Sequence, residues 1–191
     1  MSMLPMWTMF VNLPFIIFTP FPVLGNTYQR KLLTEILVHA FVTSKLDHCN
    51  SLLHNVPKNV IKKLQSVQNA AARLITRFRK WDHITPVLFD LHWLPVSERI
   101  KFKILLLTFK ALHQQSLTYI QDLIIRYLPS SSLGASFTLS LNPFSFNLKT
   151  YGSRAFSASA PELWNKLPDE NLSLFKHKLK THLFKKYYFS H

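Results

Sequence analysis

His48 and Cys49 stand side by side in a chain with a single cysteine, so thiol chemistry is the first to weigh. A catalytic thiolate needs a base within hydrogen-bond reach. Neighbours on a helix point about 100° apart, which turns His48 away from Cys49, and a small apolar thiol is most often buried. Cys49 therefore reads as a buried core residue. His83 with His92, and His39 with His113, are the histidine pairs that a metal might bridge. Their spacing matches no zinc-ligand pattern, so they read as packed or solvated histidines. Nine acids are scattered over 191 residues, with no adjacent Asp-Asp pair of the polymerase-palm kind and too few converging carboxylates to hold two metal ions for phosphoryl transfer. Three glycines, Gly25, Gly134 and Gly152, leave no phosphate-cradling loop. No catalytic residue, metal, cofactor or small-molecule substrate is indicated.

The cations carry a clearer pattern. Lys and Arg total 23, giving a formal charge of +14 and a pI of about 10.1. A field of that sign favours polyanions, with nucleic acid first and anionic membrane surfaces second. In QNAAARLITRFRKWDHITPVL, Arg73, Arg77, Arg79 and Lys80 lie close together, with no acid until Asp82. Lysines or arginines at a helix C-terminus are favoured by the helix dipole alone, by about 0.3 to 1 kcal/mol each. A dipole does not explain four cations unmixed with acids, because self-repulsion opposes such a run. Two readings stand side by side: a phosphate-binding row, or a solvated helix face. Trp81 likewise has two, a base-stacking ring or, as for most large aromatics, a core side chain.

These residues must be positioned by helices. Leu33, Leu37, Phe41, Leu52 and Leu53 give the stretch from Arg30 to Asn55 apolar faces, predicting a largely buried helix. Pro57 then opens a second helix whose Ile61, Leu64, Val67, Ala71, Leu74, Ile75 and Phe78 form one stripe. Lys62, Gln65, Asn69, Arg73, Thr76, Arg77 and Lys80 lie opposite, which would set Arg73, Arg77 and Lys80 in one row. Asp82 is read as the cap of a short helix over ITPVLFDLHW, and Ser97 as the cap of the next, ERIKFKILLLTFKALH. That helix, apolar almost all round from Ile104 to Leu107, is placed at the centre, with Arg99, Lys103 and Lys110 at its wet edge. Another short helical piece covers Leu117 to Leu128. Residues 130–148 are Ser-rich with alternating Phe137, Leu139 and Leu141, suggesting a loop with one or two short strands. Leu172, Phe175, Leu179 and Leu183 define a last amphipathic helix carrying Lys176, Lys178, Lys180, Lys185 and Lys186.

The expected fold is mainly α: an irregular helical bundle, a Ser/Phe-rich loop or short β segment near 133–150, and a C-terminal amphipathic helix. Residues 30–191 form one domain, with a helical core over 30–128, a loop over 129–150 and a C-terminal segment over 151–191. Residues 1–29 hold no Lys, Arg, Asp or Glu, and Pro5, Pro14, Pro20 and Pro22 break their apolar run. They read as a poorly ordered leader, since a signal peptide wants a basic start and a membrane span about 20 apolar residues. A single cysteine suits a reducing compartment, nuclear or cytoplasmic, and secretion is not expected.

The strings LVHAFVTSKLDHCNSLL, LQSVQNAAARLITRFRKWDHITPVLFDLHWLPVSERIKFKILLLTFKALH and LKTYGSRAFSASAPELWNKLP resemble the region C-terminal to the polymerase palm in LINE-type, non-LTR retrotransposon reverse transcriptases. The likeness spans about residues 31–188 and is specific in order and wording. It implies a thumb-like, post-palm helical fragment that helps hold template RNA and target DNA, separate from the catalytic aspartates of the parent RNA-directed DNA polymerase. Family members carry Tyr where His48 stands, Gly at Gln114, Asp at Ser153, and more arginine in the loop over 129–148. The leader matches nothing in the family. The resulting expectation is a non-catalytic chain with sequence-independent, salt-dependent affinity for RNA or DNA backbone through Lys62, Arg73, Arg77, Arg79, Lys80, Lys176, Lys180, Lys185 and Lys186. Its rivals are a degenerate gene product without selected function and a membrane-surface protein using the leader and the last helix.

Overall fold

The computed structural model describes residues 27–127, 140–144, 152–167 and 175–189. It is mainly helical, and among these residues the only strand-type pairing is one antiparallel bridge between Arg126 and Leu141. Residues 1–26 of the expected leader and most of the Ser/Phe-rich loop fall outside the described residues, while residues 27–29, also assigned to the leader, already belong to a helix. The domain expected from Arg30 onward divides into two compact units. One combines the residues up to His48 with Pro57–Val96; the other combines Cys49–Val56 with the chain from Ser97 on.

In the first unit, helix α1 (Thr27–Leu37) runs through a π-helical turn (Val38–Thr43) into helix α2 (Ser44–Asp47). This stretch is not the largely buried helix that its apolar content predicts. Val38 is buried, whereas Leu32, Leu33, Ile36 and Phe41 are exposed. Its apolar residues surround the axis, and one neighbouring helix covers only one stripe of them. The covered side meets helix α3 (Lys58–Thr76), and His39 meets Trp93 edge-on at 5.7 Å.

Pro57 caps α3 from just outside the helix, one position before the first-turn site assigned from sequence. The residues buried on α3 are Gln68, Ala71, Ala72 and Ile75, while Leu74 and Phe78 of the predicted stripe are exposed. A chain of side-chain amides explains the rotation. Gln68 Nε2 donates to Leu94 O at 2.8 Å, and Gln65 Oε1 accepts from Val96 N at 2.9 Å. Gln65 Nε2 is shared between Gln68 Oε1 at 3.0 Å and Asn69 Oδ1 at 2.8 Å. The amides thus satisfy a buried backbone segment and turn part of the polar side of α3 inward, as buried polar groups require partners.

Helix α4 (Thr85–Asp90) carries Pro86 in its first turn and has Ile84, not Asp82, at the capping position, with no side-chain cap. Its end is a Schellman motif: His92 N donates to Phe89 O and Trp93 N to Leu88 O, both at 2.9 Å, with His92 at φ 53°. Leu88 and Trp93, the two positions between which that motif favours a hydrophobic contact, are both buried.

The second unit is built on helix α5 (Val96–Leu112), which starts at Val96, so Ser97 lies within its first turn and is not the cap. Ile100, Ile104, Leu105, Thr108, Ala111 and Leu112 are buried; of the three cations expected at the wet edge, Lys110 is exposed, whereas Arg99 and Lys103 are half-buried. Thr108 Oγ1 donates to Ile104 O at 2.9 Å. A second Schellman motif ends α5: Gln114 N donates to Ala111 O at 3.3 Å and Gln115 N to Lys110 O at 2.8 Å, with Gln114 at φ 58°. The Arg126 guanidinium also donates to Leu112 O, covering another terminal carbonyl.

Helix α6 (Thr118–Gln121) is much shorter than the Leu117–Leu128 piece expected, because the chain beyond it extends to pair with residues 140–142. Tyr127 N donates to Ser140 O at 3.0 Å and Asn142 N to Ile125 O at 2.9 Å. Asn165 holds the other side of that segment, its Nδ2 donating to Leu141 O and its Oδ1 accepting from Leu141 N, both at 2.9 Å. A side-chain amide stands here in place of a neighbouring strand, and Leu141 is buried. Asn165 follows helix α7 (Phe156–Trp164), and helix α8 (Phe175–Phe189) ends the described chain. Phe175 stacks on Phe109 at 4.3 Å with ring planes 6° apart and lies 5.5 Å from Trp164, joining α5, α7 and α8.

Candidate nucleic-acid interface

Helix α3 stops at Thr76, where Arg77 turns left-handed at φ 56°. Arg77 is therefore the exit of the helix and does not continue a row with Arg73; Arg79 and Lys80 lie beyond it in a turn. Asp82 N donates to Arg79 O at 3.4 Å, closing four residues with Lys80 and Trp81 at the tip. Arg73 Nη2 donates to Asp82 O at 3.2 Å, so the half-buried guanidinium braces the turn from the last helical turn of α3. Of the four cations singled out in the sequence, one is a structural strut and three are displayed.

Arg77, Arg79 and Lys80 are exposed, and among the described residues no carboxylate is ion-paired with any of them. Lys101 pairs with Glu98 at 2.6 Å and Lys166 with Glu162 at 2.9 Å, both in the other unit. Trp81 is 87 % exposed, which overturns its reading as a core residue. A turn tip lies farther from the core than either flanking helix, and helical periodicity says nothing about it. Lys80 Nζ sits 5.4 Å from the Trp81 ring centroid, a cation–π arrangement. Lys62 is exposed on α3 and shares a face with Arg73 about three turns away.

In the second unit, Lys176, Lys180, Lys185 and Lys186 are all exposed on α8. They form no single row: at about 100° per residue, Lys176 and Lys180 share a side and Lys185 faces roughly the opposite way. The nine predicted residues thus fall into two groups, Lys62 with the turn in one unit and the α8 lysines in the other. Leu179 and Leu183, on the apolar side of α8, are buried.

The thiol expectation fails in both its parts. Cys49 is exposed, and it sits at φ 51° just after helix α2, so neither a helical geometry with His48 nor burial applies. Among the described residues no group of three or more His, Cys, Asp or Glu side chains is placed to hold a metal ion, and no helix is long and apolar enough to cross a membrane. No protein-family model, curated protein or solved structure matches the chain.

Proposed function

We propose that this chain is a non-catalytic helical region derived from a retrotransposon reverse transcriptase, and that it holds nucleic acid by the sugar–phosphate backbone without sequence preference. The observation that carries the reading is the Arg79–Asp82 turn, which Arg73 braces and which displays Arg79 and Lys80 beside Arg77 at the helix exit, all three exposed and none ion-paired with a carboxylate among the described residues. Unpaired surface cations release condensed counterions when they meet phosphates, and contacts to phosphates carry no base information. Lys62 extends the same surface along α3, and Lys176 with Lys180 supplies a second basic patch. The membrane-surface reading is weaker, because it needs an apolar face on α8 that is already buried.

The salt dependence of binding tests the proposal. The affinity of the full chain for single-stranded RNA should fall with a log–log slope of about −0.7 per phosphate contact. Replacing Arg77 and Arg79 together by Gln, and leaving Arg73 to brace the turn, makes the slope shallower by about one to two units. The loss should be equal for oligonucleotides of different sequence. A double variant that keeps the wild-type slope rules this turn out as the grip. A wild-type chain that binds no nucleic acid at low salt leaves the degenerate-product reading in its place.

A further inference from the structure

We infer that Trp81 makes this site a reader of unpaired bases, so that the ligand is single-stranded nucleic acid engaged one nucleotide at the turn tip, not the smooth backbone of a duplex. This rests on the backbone-binding reading above and deepens it. A tryptophan ring ordinarily buries most of its area, and this one is 87 % exposed at the tip of a hydrogen-bonded turn. Its indole edge and face are therefore offered to solvent by the backbone, not by a loose chain end.

The surroundings narrow what can meet that ring. Lys80 Nζ lies 5.4 Å from the ring centroid, and Arg77 and Arg79 precede it on the same exposed stretch. A ligand that fits must bring a flat π surface and an anionic group within a few ångströms of each other. A nucleotide does this: its base stacks on the indole while its phosphate draws the lysine ammonium and the arginines. In duplex nucleic acid the base faces are already stacked on one another and only phosphates and groove edges are offered, so the ring gains little there. A lipid surface is the other chemistry that suits a tryptophan beside cations. It is disfavoured here because Asp82 and His83, both exposed, follow Trp81 directly and would have to enter the interface with it.

The experiment compares three probes of equal length with the full chain: oligothymidylate of about 20 nucleotides, longer than a typical single-strand footprint, the same length of abasic deoxyribose–phosphate, and the corresponding duplex. Wild type should bind oligothymidylate about 5- to 150-fold more tightly than the abasic strand, the range set by one stacked base. Trp81→Ala should erase that preference while leaving the salt slope unchanged, and Trp81→Phe should keep part of it. Arg77→Gln with Arg79→Gln should do the reverse, flattening the slope and keeping the preference. Because Trp81 is exposed, its variants should melt like wild type, and a lowered melt would show that it has a structural role and overturn the inference. Equal affinity for oligothymidylate and the abasic strand overturns the inference alone and leaves the backbone reading standing. Failure to bind any of the three overturns both. A Trp81-dependent shift in fluorescence with phosphatidylserine vesicles, with none on oligothymidylate, overturns the inference in favour of a membrane contact.

Discussion

His54 is buried in the second unit, and its Nε2 has no hydrogen-bond partner. Burial lowers its pKa from 6.5, outweighing the attraction of Glu162, while Lys101 and Lys166 push in the same direction as burial. The folded state thus resists protonating His54 more than the unfolded chain does. Its effect on stability is constant above about pH 6.5, where both states are neutral, and stability is lost as pH falls below that value because the unfolded chain takes up the proton first. In urea titrations at a series of pH values, the stability of wild type relative to His54→Gln should decline below that pH; a constant difference would show that the imidazole titrates as in water. Gln68 is a second residue whose chemistry counts for more than its size. Gln68→Leu keeps the volume but strips a partner from Leu94 O and from Gln65, and should lower stability by roughly 1 to 3 kcal/mol. A variant as stable as wild type would mean that the amide chain contributes specificity only.

At the scale of elements, five non-glycine residues among those described adopt left-handed backbone: Cys49, Asn55, Arg77, His92 and Gln114. Each follows the end of a helical segment, where glycine carries no Cβ penalty. Gln114→Gly should therefore stabilise the chain by about 1 kcal/mol and raise the thermal midpoint by about 2 to 4 °C, with Gln114→Ala near neutral. An unchanged midpoint for the glycine variant would show that the Gln114 side chain compensates locally. The same set of positions shows where the sequence was legible. Helices α3, α5 and α8 follow from 3.6-residue periodicity, and Leu179 and Leu183 are buried where that periodicity puts them. The face of α3 is legible only in part: Ala71 and Ile75 of its stripe are buried, but Leu74 is exposed, and Gln68, polar by type, is buried by its bonds. Helix ends were harder still, since a chain with three glycines lacks the usual stop signal and Arg77 read as one more turn of helix. For the candidate site, the residue types were legible, but the display of Trp81 and the bracing role of Arg73 depend on a turn that no repeat encodes. Helix α7, with Pro161 inside it, gave no periodic signal strong enough to assign.

At the scale of the molecule, the two units are interleaved along the chain, with crossings after His48, Val56 and Val96. No single cut separates one from the other. The Arg79–Asp82 turn is an exposed loop tip bearing basic residues, the preferred place for trypsin to nick a folded protein. Severing the chain after Lys80 leaves each unit with parts on both sides of the break. In the first, Gln65 and Gln68 stay on one piece while Leu94 and Val96 go to the other; in the second, Asn55 is parted from Ser153, whose carbonyl accepts its Nδ2 at 3.1 Å. The two pieces should accordingly travel as one species through gel filtration after brief digestion, separating only in denaturant, and pieces that drift apart under native conditions would show that these cross-links are too weak to hold. The turn proposed to grasp nucleic acid is thus also the natural place to divide the protein into complementing halves, and residues 1–80 and 81–191 produced as separate polypeptides should find each other and rebuild the fold.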